Sequence, residues 1–132
     1  MLKLGQKGEH RVLVTEGNTA LAMGSGDLPV FATPALAAAM EAACVQCVAG
    51  EVGPGNSTVG TALSLRHTSA TPVGMQVQAV AELAEIDGRR LVFHVKAYDA
   101  AGIIGEATHE RVLVERERFL KKAKEKGRTD AE

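Results

Sequence analysis

Apolar and polar residues alternate most regularly in the second half of the chain. Met75, Val77, Ala79, Ala81 and Leu83 alternate with Gln76, Gln78 and Glu82, which predicts a strand over residues 75–86 with one buried face. Asp87-Gly88 is a tight-hairpin dipeptide, and Leu91, Phe93, Val95 and Ala97 continue the apolar face on a strand reaching residue 99. Two more strands are predicted over residues 57–68 and 103–115, set off by Thr71-Pro72, Gly74 and a turn at 100–102. A short alternating stretch at 9–15 reads as a first strand, and residues 16–30 are irregular, with Asn18, Gly24, Gly26 and Pro29 as breakers.

Residues 34–50 (PALAAAMEAACVQCVAG) follow a different rule. They are small and apolar on every side, with Glu41 as their only ionisable group. Thr33-Pro34 predicts a helix start, with Thr33 as N-cap and Pro34 at the first helical position. The helix is expected to run to about residue 49, with Gly50 as its stop. A helix that is apolar all round is a buried helix. Residues 116–126 are charge-dense but carry Phe119 and Leu120, predicting a short terminal helix that fades into a disordered polar tail. The order is strand, long apolar helix, then a meander of long strands: a single α+β domain over residues 1–132, with one helix against an antiparallel sheet. A curled sheet wrapped around the helix, with a second copy covering what remains, suits such a helix and suggests the hot-dog architecture. Periodicity alone leaves cystatin-like and other helix-on-sheet folds open.

Charge and cysteines narrow the classes. A net charge of -1, without a basic patch interleaved with aromatics, argues against nucleic acid as a partner. The longest apolar run is too short to cross a membrane and carries a carboxylate, and the start (MLKLGQKGEH) lacks an apolar signal segment, so a cytoplasmic location is expected. Cys44 and Cys47 form a CVQC motif late in the helix rather than at its N-terminus, where a redox pair gains its low pKa; they read as core-filling thiols. Two further zinc ligands are missing, and His10, His67, His94 and His109 show no ligand spacing, so no metal is expected.

Glu41 is the first candidate for chemistry. A carboxylate inside an apolar helix must be paired, hydrogen-bonded or protonated. It is either a catalytic group or a carboxylate satisfied by backbone groups or a solvated crevice. His67 ends a strand face that reads Val59, Thr61, Leu63, Leu65, His67. If that face packs on the helix, His67 approaches Glu41, and a His–carboxylate pair sets a base near neutral pH; the alternative is a half-buried histidine bonded to backbone carbonyls. His94 shares parity with Val92 and Lys96 on the outer face, His10 lies near a terminus, and His109 beside Glu110 and Arg111 reads as part of a surface charge cluster. Thr33, as N-cap, stands at the positive end of the helix dipole, where a carbonyl is welcome. Gly60, inside a strand, lets another backbone or a ligand come close.

The segments VFATPALAAAMEAACV, VGTALSLRHTSATPVGMQVQAVAEL and EIDGRRLVFHVKAYD with its following IGEATHERVLV closely resemble the fluoroacetyl-CoA thioesterase family of hot-dog proteins, over residues 30–115. The resemblance rests on a Thr, a Glu eight residues later in the same helix, a Gly-x-x-x-x-x-x-His strand and a terminal T-H-E-R. It implies catalytic roles for Thr33, Glu41 and His67, a thioester contact at Gly60 and a coenzyme A contact at Arg111. It further implies a homodimer, or a tetramer built from it, with active sites at the subunit interface. The implied activity is hydrolysis of a short-chain acyl-CoA to the free acid and CoA. No cofactor is expected beyond the coenzyme A of the substrate. The family's aromatic-rich lid between first strand and helix has no counterpart in residues 18–30 (NTALAMGSGDLPV), so a short acyl group other than fluoroacetyl is expected. The alternative is a hot-dog dimer that binds acyl-CoA or another small ligand without turning it over.

Overall fold

The computed structural model describes residues 1–130. Its strands are β1 (Lys7–Leu13), β2 (Asn56–His67), β3 (Gln76–Asp87), β4 (Arg90–Asp99) and β5 (Gly102–Glu115). They form one antiparallel sheet in the order β1-β3-β4-β5-β2. Its helices are the single-turn α1 (Ala20–Met23), the central α2 (Thr33–Cys47) and the terminal α3 (Arg116–Asp130).

The expected apolar face exists and makes the core. Val77, Ala79, Ala81 and Leu83 of β3 are fully buried, as are Leu91, Phe93, Val95 and Ala97 of β4. Facing pairs such as Ala79–Ala97, Ala81–Val95 and Leu83–Phe93 fill the inner face side by side. Leu36, Ala39, Met40, Ala43, Cys44 and Cys47 of α2 complete the cluster, and α2 touches all five strands. The sheet curls because register shifts interrupt β2, β3 and the β4–β5 pair, and bulges bend strands. β1 closes one end against the helix backbone: a Cβ at Gly8 would stand 2.4 Å from the Cys47 nitrogen, so only glycine permits the contact.

Several expectations are corrected. The strands are not a simple meander, because β2 pairs with β5 at the sheet edge and not with β3, which follows it in the chain. The helix N-cap is Ala32, in extended conformation, so Thr33 is the first helical residue and Pro34 the second. The β3–β4 turn residues are Gly88 and Arg89, with Asp87 still paired to Arg90; Gly88 takes the positive φ (59°) that such a turn demands. α3 runs to Asp130 rather than fading near residue 126, and residues 131–132 of the expected tail lie outside the described residues. Both cysteines are buried free thiols, Cys47 donating to the Gln6 carbonyl, and burial pushes the Cys44 pKa up to about 12. Among the described residues, no helix is long and apolar enough to cross a membrane.

Candidate active site

One face of α2 is not covered by the sheet. Thr33, Ala37, Glu41 and Val45 follow one another at four-residue spacing, so they share a face, and all four are half-buried or exposed. The sequence predicts a buried Glu41, yet its side chain is 44% exposed. The helix is apolar on both sides; in the single chain, one of those sides is open.

Thr33 and His67 meet at the start of this face. Because Ala32 takes the cap position, the Thr33 hydroxyl is free of that duty, and it bonds to His67 Nδ1 at 2.8 Å. The other ring nitrogen, Nε2, is buried without a hydrogen-bond partner. Burial pushes the imidazole below its ordinary value, more than the neighbouring Ser69 backbone raises it. His67 is therefore kept as a neutral base, touching a hydroxyl. A cavity of about 260 Å³ opens beside the pair, lined among others by Ala20, Ser25, Val30, Phe31 and Ala70.

Glu41 belongs to a second group. Eight helical residues separate it from Thr33, ~12 Å along the axis. Its carboxylate is held by Arg111 (Nη1–Oε2 3.3 Å) with His109 Nε2 at 3.7 Å, rather than by His67. His109 is 1% exposed, which overturns its reading as a surface residue. Its parity with Gly105, Ala107 and Arg111 on β5 was the signal that it points inward. His109 Nδ1 faces the Ala62 carbonyl at 2.7 Å, and Nε2 faces Arg111 Nη1 at 3.0 Å. A carbonyl only accepts and a guanidinium only donates, so Nδ1 carries the proton and the ring is neutral. Burial is the main cause of its lowered pKa, with the Arg111 charge adding to it.

Arg111 is the centre of this group. It is 7% exposed, and it donates from Nε to Thr58 Oγ1 (2.9 Å), from Nη2 to the Thr58 carbonyl (3.0 Å), and from Nη1 to Glu41 and His109. The family resemblance implies a coenzyme A contact at Arg111; in this chain its guanidinium is bonded to Thr58, His109 and Glu41. Gly60 leaves the room for this. A Cβ on it would stand 2.9 Å from Glu41 Oε2, 3.1 Å from His109 Cε1 and 3.3 Å from Arg111 Nη1.

The expected strand face Val59, Thr61, Leu63, Leu65, His67 is corrected by a bulge. Register shifts between Gly60 and Ala62, leaving Thr61 as an extra residue whose hydroxyl donates to the Glu110 carbonyl at 3.2 Å. On one side of it Thr58 and Gly60 face the helix; on the other, Leu63 and Leu65 pack on the core and His67 reaches Thr33.

Two histidines with lowered pKa values tie stability to pH. The unfolded chain binds their protons near 6.5, whereas the folded chain resists, so stability is full above that pH and falls as pH drops through the lowered values. The thermal midpoint is expected to decline from pH 7 towards pH 5. A midpoint that held or rose over that range would contradict neutral burial of both rings.

The family model described as fluoroacetyl-CoA-specific thioesterase matches residues 14–117. The fluoroacetyl-CoA thioesterase of Streptantibioticus cattleyicolor is 43% identical over 97 residues, covering 74% of this chain and 70% of that protein. A solved structure of the fluoroacetyl-CoA thioesterase FlK superposes with a TM-score of 0.88 at 36% identity, covering 96% of this chain and 98% of that one. A thioesterase-superfamily protein of Thermus thermophilus gives 0.91 at 26% identity, covering 100% and 98%. The fold is the hot-dog fold. The family model spans most of the chain and the Streptantibioticus relative is 43% identical, so the chain belongs to the fluoroacetyl-CoA-specific thioesterase family of thioester hydrolases.

Proposed function

We propose that this protein hydrolyses a short-chain acyl-CoA thioester to the free acid and coenzyme A, at sites that a homodimer completes. The observation that carries this reading is the pair of complementary half-sites on one open apolar face of α2. Thr33 with His67 and Glu41 with Arg111 and His109 stand ~12 Å apart, with Ala37 midway between them. In a twofold interface, residue i meets j of the partner while j meets i. Two antiparallel copies of α2 crossing at Ala37 bring Thr33 and His67 of each chain to Glu41 of the other. The small side chains of Ala37 and Ala38 suit such a close crossing. Among the described residues, no strand pairs with the outer side of the twelve-residue edge strand β2, which offers the two sheets a place to join.

In each composite site the acyl group enters the cavity beside Thr33 and His67, whose volume of about 260 Å³ and lack of lid aromatics favour a short acyl chain other than fluoroacetyl. The Thr33 hydroxyl and the Gly60 region stabilise the developing oxyanion. Glu41 either activates a water that attacks the thioester carbon, or attacks that carbon itself to form an anhydride that water then hydrolyses to the free acid, and His67 moves the proton. Coenzyme A leaves as a thiolate and enters only as part of the substrate; no other cofactor takes part. Two unbonded cysteines suit a reducing compartment such as the cytoplasm.

The test is a panel of short acyl-CoAs incubated with the protein and a thiol reagent, reading CoA release. Thr33→Ala is expected to lower turnover by ~100-fold. Mixing Thr33→Ala chains with Glu41→Gln chains under conditions of subunit exchange should restore activity, because one site of each mixed dimer regains both groups. Two inactive variants that stay inactive when mixed would rule out shared sites.

A further inference from the structure

Resting on the acyl-CoA reading, we propose that the nucleotide end of coenzyme A binds where the C-terminal end of α2 meets the start of α3, with Arg116 as its phosphate contact. Arg111 cannot fill that role, since it is buried and bonded to Thr58, His109 and Glu41. A cavity of about 440 Å³ begins one helical turn beyond Glu41, where Val45, Val48 and Val52 give it an apolar side and Asn56, Thr58 and Arg116 a polar one. Thr58 joins it to the Glu41 group, because its hydroxyl also accepts from Arg111. The apolar side suits the methyl groups of the pantetheine arm, and the polar side its amides.

The distances match. Arg116, the first residue of α3, lies five residues beyond Arg111 of β5, ~17 Å if that stretch is extended. The pantetheine arm has about thirteen bonds from sulfur to phosphorus, which at backbone-like spacing extend to ~15 Å. A thioester at Glu41 therefore places its pyrophosphate beside Arg116. The charge matches too. α3 holds seven of the chain's 15 Lys and Arg residues against three acids, so the remainder of the chain is net acidic. Among the described residues, Arg116 has no carboxylate within 4 Å, whereas Arg118 pairs with Glu115. Beyond it on α3, Lys121, Lys124 and Arg128 line a further cavity together with Glu117 and Glu125.

Titration calorimetry with free CoA and with pantetheine, at low and moderate salt, tests the site without relying on turnover. Arg116→Glu is expected to weaken CoA binding about tenfold or more and to remove much of its salt dependence. Pantetheine, which has no phosphates, should bind wild type and variant alike. If the charge reversal disturbs the β5–α3 junction, Arg116→Gln carries the same comparison with a smaller loss. Unchanged CoA affinity in the variant, or an equal loss for pantetheine, overturns the proposal. A protein that binds CoA through Arg116 yet cleaves no thioester keeps this site and loses the hydrolase reading. One that cleaves thioesters with the same KM in wild type and Arg116→Glu does the reverse.

Discussion

Glu41→Gln is expected to lower turnover by ~1,000-fold or more while the protein stays folded. The amide keeps an oxygen for Arg111 Nη1 and the same volume on α2, so the buried guanidinium retains an acceptor. What disappears is the electron pair that attacks the thioester or deprotonates water. Glu41 is 44% exposed, so the substitution takes little from the core. Release of CoA from the best thioester of the panel, read beside a thermal melt, checks both halves of the expectation. Undiminished turnover in a folded Glu41→Gln protein would remove the carboxylate from the mechanism.

Arg111→Lys is expected to cost both activity and stability, about 100-fold in kcat and ~2–4 kcal/mol in unfolding free energy. The charge is conserved, but a single ammonium cannot reach Thr58, His109 and Glu41 at once from one buried position. Thr58 and His109 then lose their donor in a site shielded from water, and the carboxylate swings free. KM should change less than kcat, because on this geometry Arg111 orients the reacting group rather than holding the nucleotide. A variant with wild-type kcat and a raised KM would instead return Arg111 to substrate binding.

The fold was readable where one physical rule dominates. Strict alternation on β3 and β4 fixed the inner face, since a buried sheet face tolerates only apolar residues there. The all-apolar helix was equally plain. The pattern could not tell which side of α2 stays open, because covered and uncovered sides are alike in composition. The Thr33 cap was misplaced by one residue: Ala32 reaches the extended cap conformation on backbone terms alone, without a side-chain signal. His109 was misread because its polar neighbours Glu110 and Arg111 suggest surface, whereas strand parity places it inside. Its pairing with Arg111 and the Ala62 carbonyl depends on which strands lie side by side, and that information is nowhere local in the chain.

Thr61 acts on β2 as an inserted letter acts on a reading frame. Ahead of it, even-numbered positions look toward the helix; past it, odd-numbered ones do. Exposed edge strands ordinarily absorb a lost or gained residue by sliding. Here a one-residue deletion would restore the phase of an ordinary strand while turning either Gly60 or His67 out of the molecule, so the two halves of the candidate site can be carried by one strand only with the surplus residue in place.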